Sequence, residues 1–309
     1  MHRSIHAEGE KRKGISMYDT VRDRLIHLHH CRGAGWKTIH SLLKVDPTLT
    51  APFSLPPHDL RPLVPLSDAQ WTAFFHDLHS IDVQRVIKTY MDRCIHVVTV
   101  FDHDYPPLLR HIYAPPWVLY AKGAPALLQE RKLISIVGTR RPTKEGIEAL
   151  NKLVPPLVAA GFTIVSGLAF GIDVCAHQLA VQHGGSTIAV IAGGLDHIYP
   201  KEHRPFAALL MNEQLVIAEH PPATRPQAWQ FPARNRIISG LSLGTLVVQA
   251  KRKSGSLITA AYALEQGREV FAVPGPIGLA ESAGPNTLIQ HGAKLVQEAA
   301  DILDEFPYV

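Results

Sequence analysis

Glycine and arginine carry the chemistry this sequence offers. Ser166 to His177 reads S-G-L-A-F-G-I-D-V-C-A-H, directly after the apolar, β-branched run Phe162-Thr163-Ile164-Val165. A strand, a tight loop and a helix start are expected there. The glycines let backbone N–H groups approach a ligand, and the helix points its free N–H groups and positive dipole end at the same place. Such a place suits a phosphate, although glycine-rich turns also occur for packing alone. Basic side chains follow other apolar runs, in Gly138-Thr139-Arg140-Arg141-Pro142-Thr143-Lys144, in Lys201 to Arg204, in Arg234-Asn235-Arg236 and in Lys251-Arg252-Lys253. Acid–base catalysis would instead need a carboxylate or histidine set against a nucleophile. Asp173, Asp196 and Glu219 fall near these segments. We read Asp173 as satisfying backbone N–H groups at a helix start, Asp196 as ordering its glycine turn, and His177 as a packed histidine. No metal-ligand spacing is present.

Bringing these groups together requires a scaffold that gathers distant loops. From Leu133 on, strand-like runs appear at Ile134 to Val137, Phe162 to Val165, Thr187 to Ile191, Leu215 to Ala218, Thr245 to Val248 and Val270 to Val273. Helical stretches separate most of them. This alternation predicts an α/β domain, Rossmann-like and doubly wound on a mostly parallel sheet, over residues 133–309. Ligands in that architecture sit beyond the carboxyl ends of the strands. The basic loops then converge on one sheet edge, so a formal net charge of only +4 becomes a concentrated positive stripe. The expected partner is polyanionic.

The upstream half reads differently. Residues 1–16 mix both charges without apolar periodicity and are expected to form a disordered leader, with a second plausible start at Met17. A small helical domain is expected over 17–95. Val21, Leu25, Ile26 and Leu28 recur at helical spacing, and further periodic runs cover Trp36 to Leu43, Ser67 to Leu78 and Val83 to Met91. Within it, Cys31 to Ile39 resembles the glycine turn of a helix-hairpin-helix unit, which offers N–H groups to a DNA phosphate. A plain turn between packing helices is the alternative. Residues 96–132 read as a connecting strand and a proline-rich joint, packed on the main domain through Trp117, Leu119 and Tyr120.

At 309 residues the chain can hold about two domains. No apolar run could cross a bilayer, and no secretory signal opens the sequence, so a cytoplasmic protein is expected. The cysteines Cys31, Cys94 and Cys175 are far apart, which argues against a disulfide framework or a zinc knuckle.

The motifs V-G-T-R at 137–140, S-G-L-A-F-G-I-D-V-C-A-H at 166–177, T-I-A-V-I-A-G-G-L-D-H-I-Y-P at 187–200, F-P-A-R-N-R-I-I-S-G-L-S at 231–242, S-G-S-L-I-T-A-A at 254–261 and G-R-E-V-F-A-V-P-G at 267–275 resemble the DprA/Smf family of DNA-processing proteins. The likeness extends through N-T-L-I-Q-H-G-A-K-L-V at 286–296, and the helical segment looks like the family's SAM-like domain. The resemblance implies a cytoplasmic protein of natural transformation, without catalysis, cofactor or metal. Such a protein binds single-stranded DNA, forms a homodimer through the Rossmann domain around Leu288 to Val296, and loads RecA onto strands covered by single-strand binding protein. Arg140 and Lys201 are then the foremost DNA contacts. Ser166, Gly167 and Gly171 would supply a phosphate-sized pocket, with Arg141, Arg204, Arg234 and Arg236 as supporting charges. Phe206 would either stack on a base or pack its helix.

Two positions depart from the family pattern. His203 replaces a frequent asparagine, and Gln249 replaces a common glutamate. A Rossmann-fold nucleotide enzyme of the phosphoribohydrolase type is the alternative, but L-S-L-G-T-L-V-V-Q at 241–249 lacks that group's double-glycine turn and its carboxylate. No C-terminal winged helix is expected after Phe306.

Overall fold

The parallel sheet predicted from the apolar runs is present and longer than expected. The computed structural model describes residues 20–308; the expected leader over 1–16 and the alternative start at Met17 lie outside them. The strands are β1 (His96–Thr99), β2 (Val118–Gly123), β3 (Leu133–Val137), β4 (Thr163–Ser166), β5 (Thr187–Ile191), β6 (Leu215–Ala218), β7 (Gly244–Val247), β8 (Glu269–Ala272) and β9 (Lys294–Leu295). They form one nine-stranded sheet in the order β1-β2-β6-β5-β4-β3-β7-β8-β9. From β6 through β9 all neighbours are parallel. The segment before the main domain adds two antiparallel strands, with β2 pairing β6 in the register Tyr120↔Ala218.

Burial on both faces explains why the central strands read as mostly apolar runs, in which even the hydroxyl residues Ser135, Thr187 and Thr245 are fully buried. Along β3, Ile134 and Ile136 pack beneath Leu150, Leu153, Val154, Ala176 and Ala180 of the helices Lys144–Ala159 and Ile172–Gln182. Leu133 and Val137 face the opposite layer, with Ile237, Ile238, Ala260 and Ala263 of Gln230–Leu241 and Gly255–Glu265. Alternation along the strand thus assigns each face its own helix layer.

The helices Val21–His30, Trp36–Val45, Asp68–Ser80 and Val83–Asp92 form the upstream module. Thr20 and Ser67 each close a capping box at a helix start. The core of the module is continuous with the sheet, since Leu25, Leu28 and Phe74 share a cluster with Tyr120, Val216 and Ala218. Trp36 and Trp117 stack at 5.4 Å. Each indole also donates a hydrogen bond across the joint, Trp36 to the Pro115 carbonyl and Trp117 to that of Trp36. No helix among the described residues is long and apolar enough to cross a membrane.

Candidate nucleic-acid interface

The glycine loop after β4 is packed tightly against its neighbours. Gly171 has φ +76°, and a Cβ there would lie 2.4 Å from the Thr139 carbonyl oxygen, so only glycine fits. A Cβ on Gly167 would lie 2.8 Å from Asp173 and 2.7 Å from the Arg234 guanidinium. Asp173 is buried against the loop, where the Arg234 guanidinium and the backbone amides of Ala169, Gly138 and Gly167 favour its charged form. The Ile172 N–H donates to the Thr139 carbonyl at 3.2 Å. The amides of the loop thus lie beside a carboxylate of the chain itself. Burial raises the Asp173 carboxyl above its ordinary value, while Arg234 and these amides pull it down.

Ser166 lies beneath the loop, fully buried, and its hydroxyl donates to the Ile136 carbonyl at 2.6 Å. Arg234 is buried too, donating to the carbonyls of Gly167 and Val190. Burial lowers its pKa to about 10, which leaves it charged at neutral pH. Arg236 makes a two-pronged ion pair with Glu219 at 2.6 and 2.9 Å and also reaches the Ala114 carbonyl. Both arginines, expected as charges toward a ligand, turn inward and brace the edge. His177 is likewise internal, its Nδ1 2.6 Å from the Thr187 hydroxyl. Asp196 does not close its own turn but pairs with Arg93 of the helical module.

Arg140, Arg141, Lys201 and Arg204 are exposed, and among the described residues none of them has an ion-pair partner. The first two sit on the loop after β3 and the others after β5. His203 points inward, its Nδ1 2.9 Å from the Leu168 carbonyl, and so ties the β5 loop to the β4 loop. Phe206 is half-buried against the core shared with the helical module, the packing alternative. Beyond β7, Arg252 and Lys253 are exposed, while Lys251 pairs with Glu281 at 3.4 Å.

Three edge residues were not singled out in the sequence. Phe170, Tyr199 and Trp229 are exposed aromatics on the segments after β4, β5 and β6. Their recurrence on successive carboxyl-end loops was the available signal.

Between β3 and β7 the strand order reverses, and doubly wound folds bind nucleotides in such crevices. Here Gln249 fills it. Its side chain accepts the Thr143 N–H at 3.0 Å and donates to the Thr143 hydroxyl at 2.8 Å, and its carbonyl accepts the Thr139 N–H at 2.7 Å. A small recess of about 50 Å³ lies beside it, lined by Glu145, Gly146, Gly275 and Ser282. Among the described residues no cluster of His, Cys, Asp or Glu could hold a metal ion.

In the helical module, Gly33 adopts φ +84° at the glycine turn. Arg32 beside it is held by Asp77 at 2.7 Å, and this pairing keeps the Asp77 carboxyl well below its usual range. The N–H groups of Ala34 and Gly35 donate within the turn, to the carbonyls of Cys31 and Gly33.

Residues 96–307 match the profile of the family described as DNA recombination-mediator protein A. The chain is 50% identical over 223 residues to the DNA processing protein DprA of Bacillus subtilis (strain 168), covering 72% of this chain and 75% of that one. It is 44% identical over 214 residues to the protein Smf of Escherichia coli (strain K12), covering 69% of this chain and 57% of that one. The crystal structure of DprA from Streptococcus pneumoniae superposes with a TM-score of 0.81 at 36% identity, over 93% of this chain and 99% of that chain. DprA from Helicobacter pylori, whose structure concerns a single-stranded DNA binding mode, superposes with a TM-score of 0.62 at 29% identity, over 69% and 95%. Sequence profile, sequence identity and superposed fold agree, and the chain belongs to the DNA recombination-mediator protein A family, the DprA/Smf DNA-processing proteins.

Proposed function

We propose that this protein binds single-stranded DNA along the carboxyl-end edge of its sheet and, without catalysing a reaction, loads RecA onto that DNA in the cytoplasm during natural transformation. The observation that carries the reading is the group of exposed cations without ion-pair partners among the described residues, Arg140 and Arg141 on the β3 loop and Lys201 and Arg204 on the β5 loop. These four contact phosphates. Ser166, Gly167, Gly171, Arg234 and Arg236 form the frame beneath, which fixes the loops before DNA arrives. Loops already fixed lose little backbone freedom on binding, and the released counterions favour association. The single-stranded DNA binding described for the Helicobacter pylori relative supports this choice of polyanion. The homodimer through the Rossmann domain, RecA and single-strand binding protein on the strand complete the reading.

Fluorescence anisotropy with oligo-dT across a salt series tests it. Affinity falls with salt in the wild type, and Arg140→Ala or Lys201→Ala weakens binding and reduces the slope of log K against log salt by about 0.7 per lost phosphate contact. Absence of binding by the wild type, or unchanged affinity and slope in both folded variants, refutes the site. Formation of product from nucleotides, dependent on Asp173, would reinstate the nucleotide-enzyme alternative.

A further inference from the structure

We infer that Tyr199 and Trp229, with Phe170 beside them, form a base-stacking platform on this edge, so that bases as well as phosphates are held there. The inference rests on the single-stranded DNA reading above. Exposed single apolar residues are ordinary on protein surfaces, but these three are arranged in a series. They follow β4, β5 and β6, which are consecutive neighbours in the sheet. Ring contacts tie the three segments together, since Phe170 packs on His203 of the β5 loop that carries Tyr199, and Tyr199 packs on Phe231 in the helix that Trp229 opens. Their exposures are 42% for Phe170, 52% for Tyr199 and 60% for Trp229.

Each ring is also supported by a second ring set nearly perpendicular to it. Phe170 meets His203 at 4.7 Å and 68°, Tyr199 meets Phe231 at 5.4 Å and 71°, and Trp229 meets His220 at 5.8 Å and 85°. The Trp229 indole N–H donates to the Gln227 side chain at 2.8 Å. The Gln227 N–H in turn donates to the Gln230 side chain at 2.6 Å, which stiffens the loop. An aromatic ring held in place yet open to solvent loses little conformational freedom when a base stacks on it. Lys201 stands two residues beyond Tyr199, so a phosphate contact and a ring share one loop. Every base has a π-face, so the platform is indifferent to sequence.

The test compares oligo-dT with an abasic oligonucleotide of equal phosphate count, using the full chain. The wild type binds oligo-dT more tightly than the abasic strand, by about tenfold for each stacked base. Tyr199→Leu and Trp229→Leu each lose most of that preference while keeping abasic affinity and salt slope. A Trp229→Phe protein provides a second readout, since oligo-dT quenches tryptophan emission in the wild type, the abasic strand does not, and the substitution removes the difference. Equal wild-type affinity for the two strands, or variants that keep the full preference, overturns the platform and leaves the cation site standing. Binding of neither strand overturns both.

Discussion

At the scale of single residues, charge is divided by direction. Arg140 and Arg234 are both arginines on the same edge, but one is exposed and the other is buried beneath Gly167. Arg140→Ala is therefore expected to change stability by no more than about 0.5 kcal/mol, as surface substitutions do. Gly171→Ala places a side chain at φ +76° against the Thr139 carbonyl and should cost about 2 kcal/mol or more. Urea unfolding midpoints distinguish the two, and a neutral Gly171→Ala would refute the packing account of the loop. Two histidines, the half-buried His29 and the buried His177, add a pH dependence. His29, against the Tyr120 hydroxyl at 3.0 Å, is pushed down to about 3 by burial and then by His30 and His220. His177 is also pushed down to about 3, by burial and then by Arg234. Unfolding returns each to its ordinary value near 6.5, so the unfolded chain binds the protons that the native state refuses. Their contribution is complete above pH 6.5 and is lost as pH falls toward 3. By pH 5 the two should together remove roughly 4 kcal/mol. Equal unfolding free energies at pH 7.5 and 5 would contradict that linkage.

At the scale of elements, Gln249 joins the end of β7 to the start of the helix Lys144–Ala159. It accepts the N–H of the Thr143 N-cap, and Gly146 leaves the room it needs, since a Cβ there would lie 2.3 Å from its oxygen. Gln249→Ala leaves that N–H without a partner and should cost about 2 kcal/mol. Gln249→Glu keeps an acceptor for the N–H and lets the Thr143 hydroxyl donate, with negative charge favoured at a helix start. Thermal unfolding should rank wild type and Gln249→Glu together, well above Gln249→Ala; the reverse order of the two variants would sink the bridging role. Elements buried on both faces, such as β3 and β5, were legible because their sequences are short, mostly apolar and rich in β-branched residues. The two-residue β9 left no run to detect. The pairing of β2 with β6 depends on residues almost a hundred positions apart, and no local pattern encodes that register. The same limit holds at the site, where local spacing revealed the cations of the edge but not that Arg234 and Arg236 are spent on carbonyls and Glu219.

At the scale of the whole molecule, the two ends of the sheet differ. Beside β1, the helices Val21–His30 and Val83–Asp92 cover the surface. At the other end β9 is a short parallel strand with Leu295 41% exposed. Short edge strands guard against indiscriminate pairing, and an exposed apolar side chain there suits a specific contact between two copies. The proposed homodimer uses this segment, from Leu288 to Val296, as a self-complementary patch. Leu295→Glu would set two carboxylates against each other across the symmetry axis. Sedimentation velocity at micromolar concentration should then show the wild type as a dimer and the variant as a monomer. Each protomer keeps its cation edge, so affinity for an oligonucleotide long enough for one site stays unchanged. A longer strand that engages both protomers binds the dimer through effective concentration, and Leu295→Glu should weaken that binding by about tenfold or more. A monomeric wild type, or a variant that sediments and binds long strands as the wild type does, would remove β9 from the interface while leaving the single-protomer DNA edge intact.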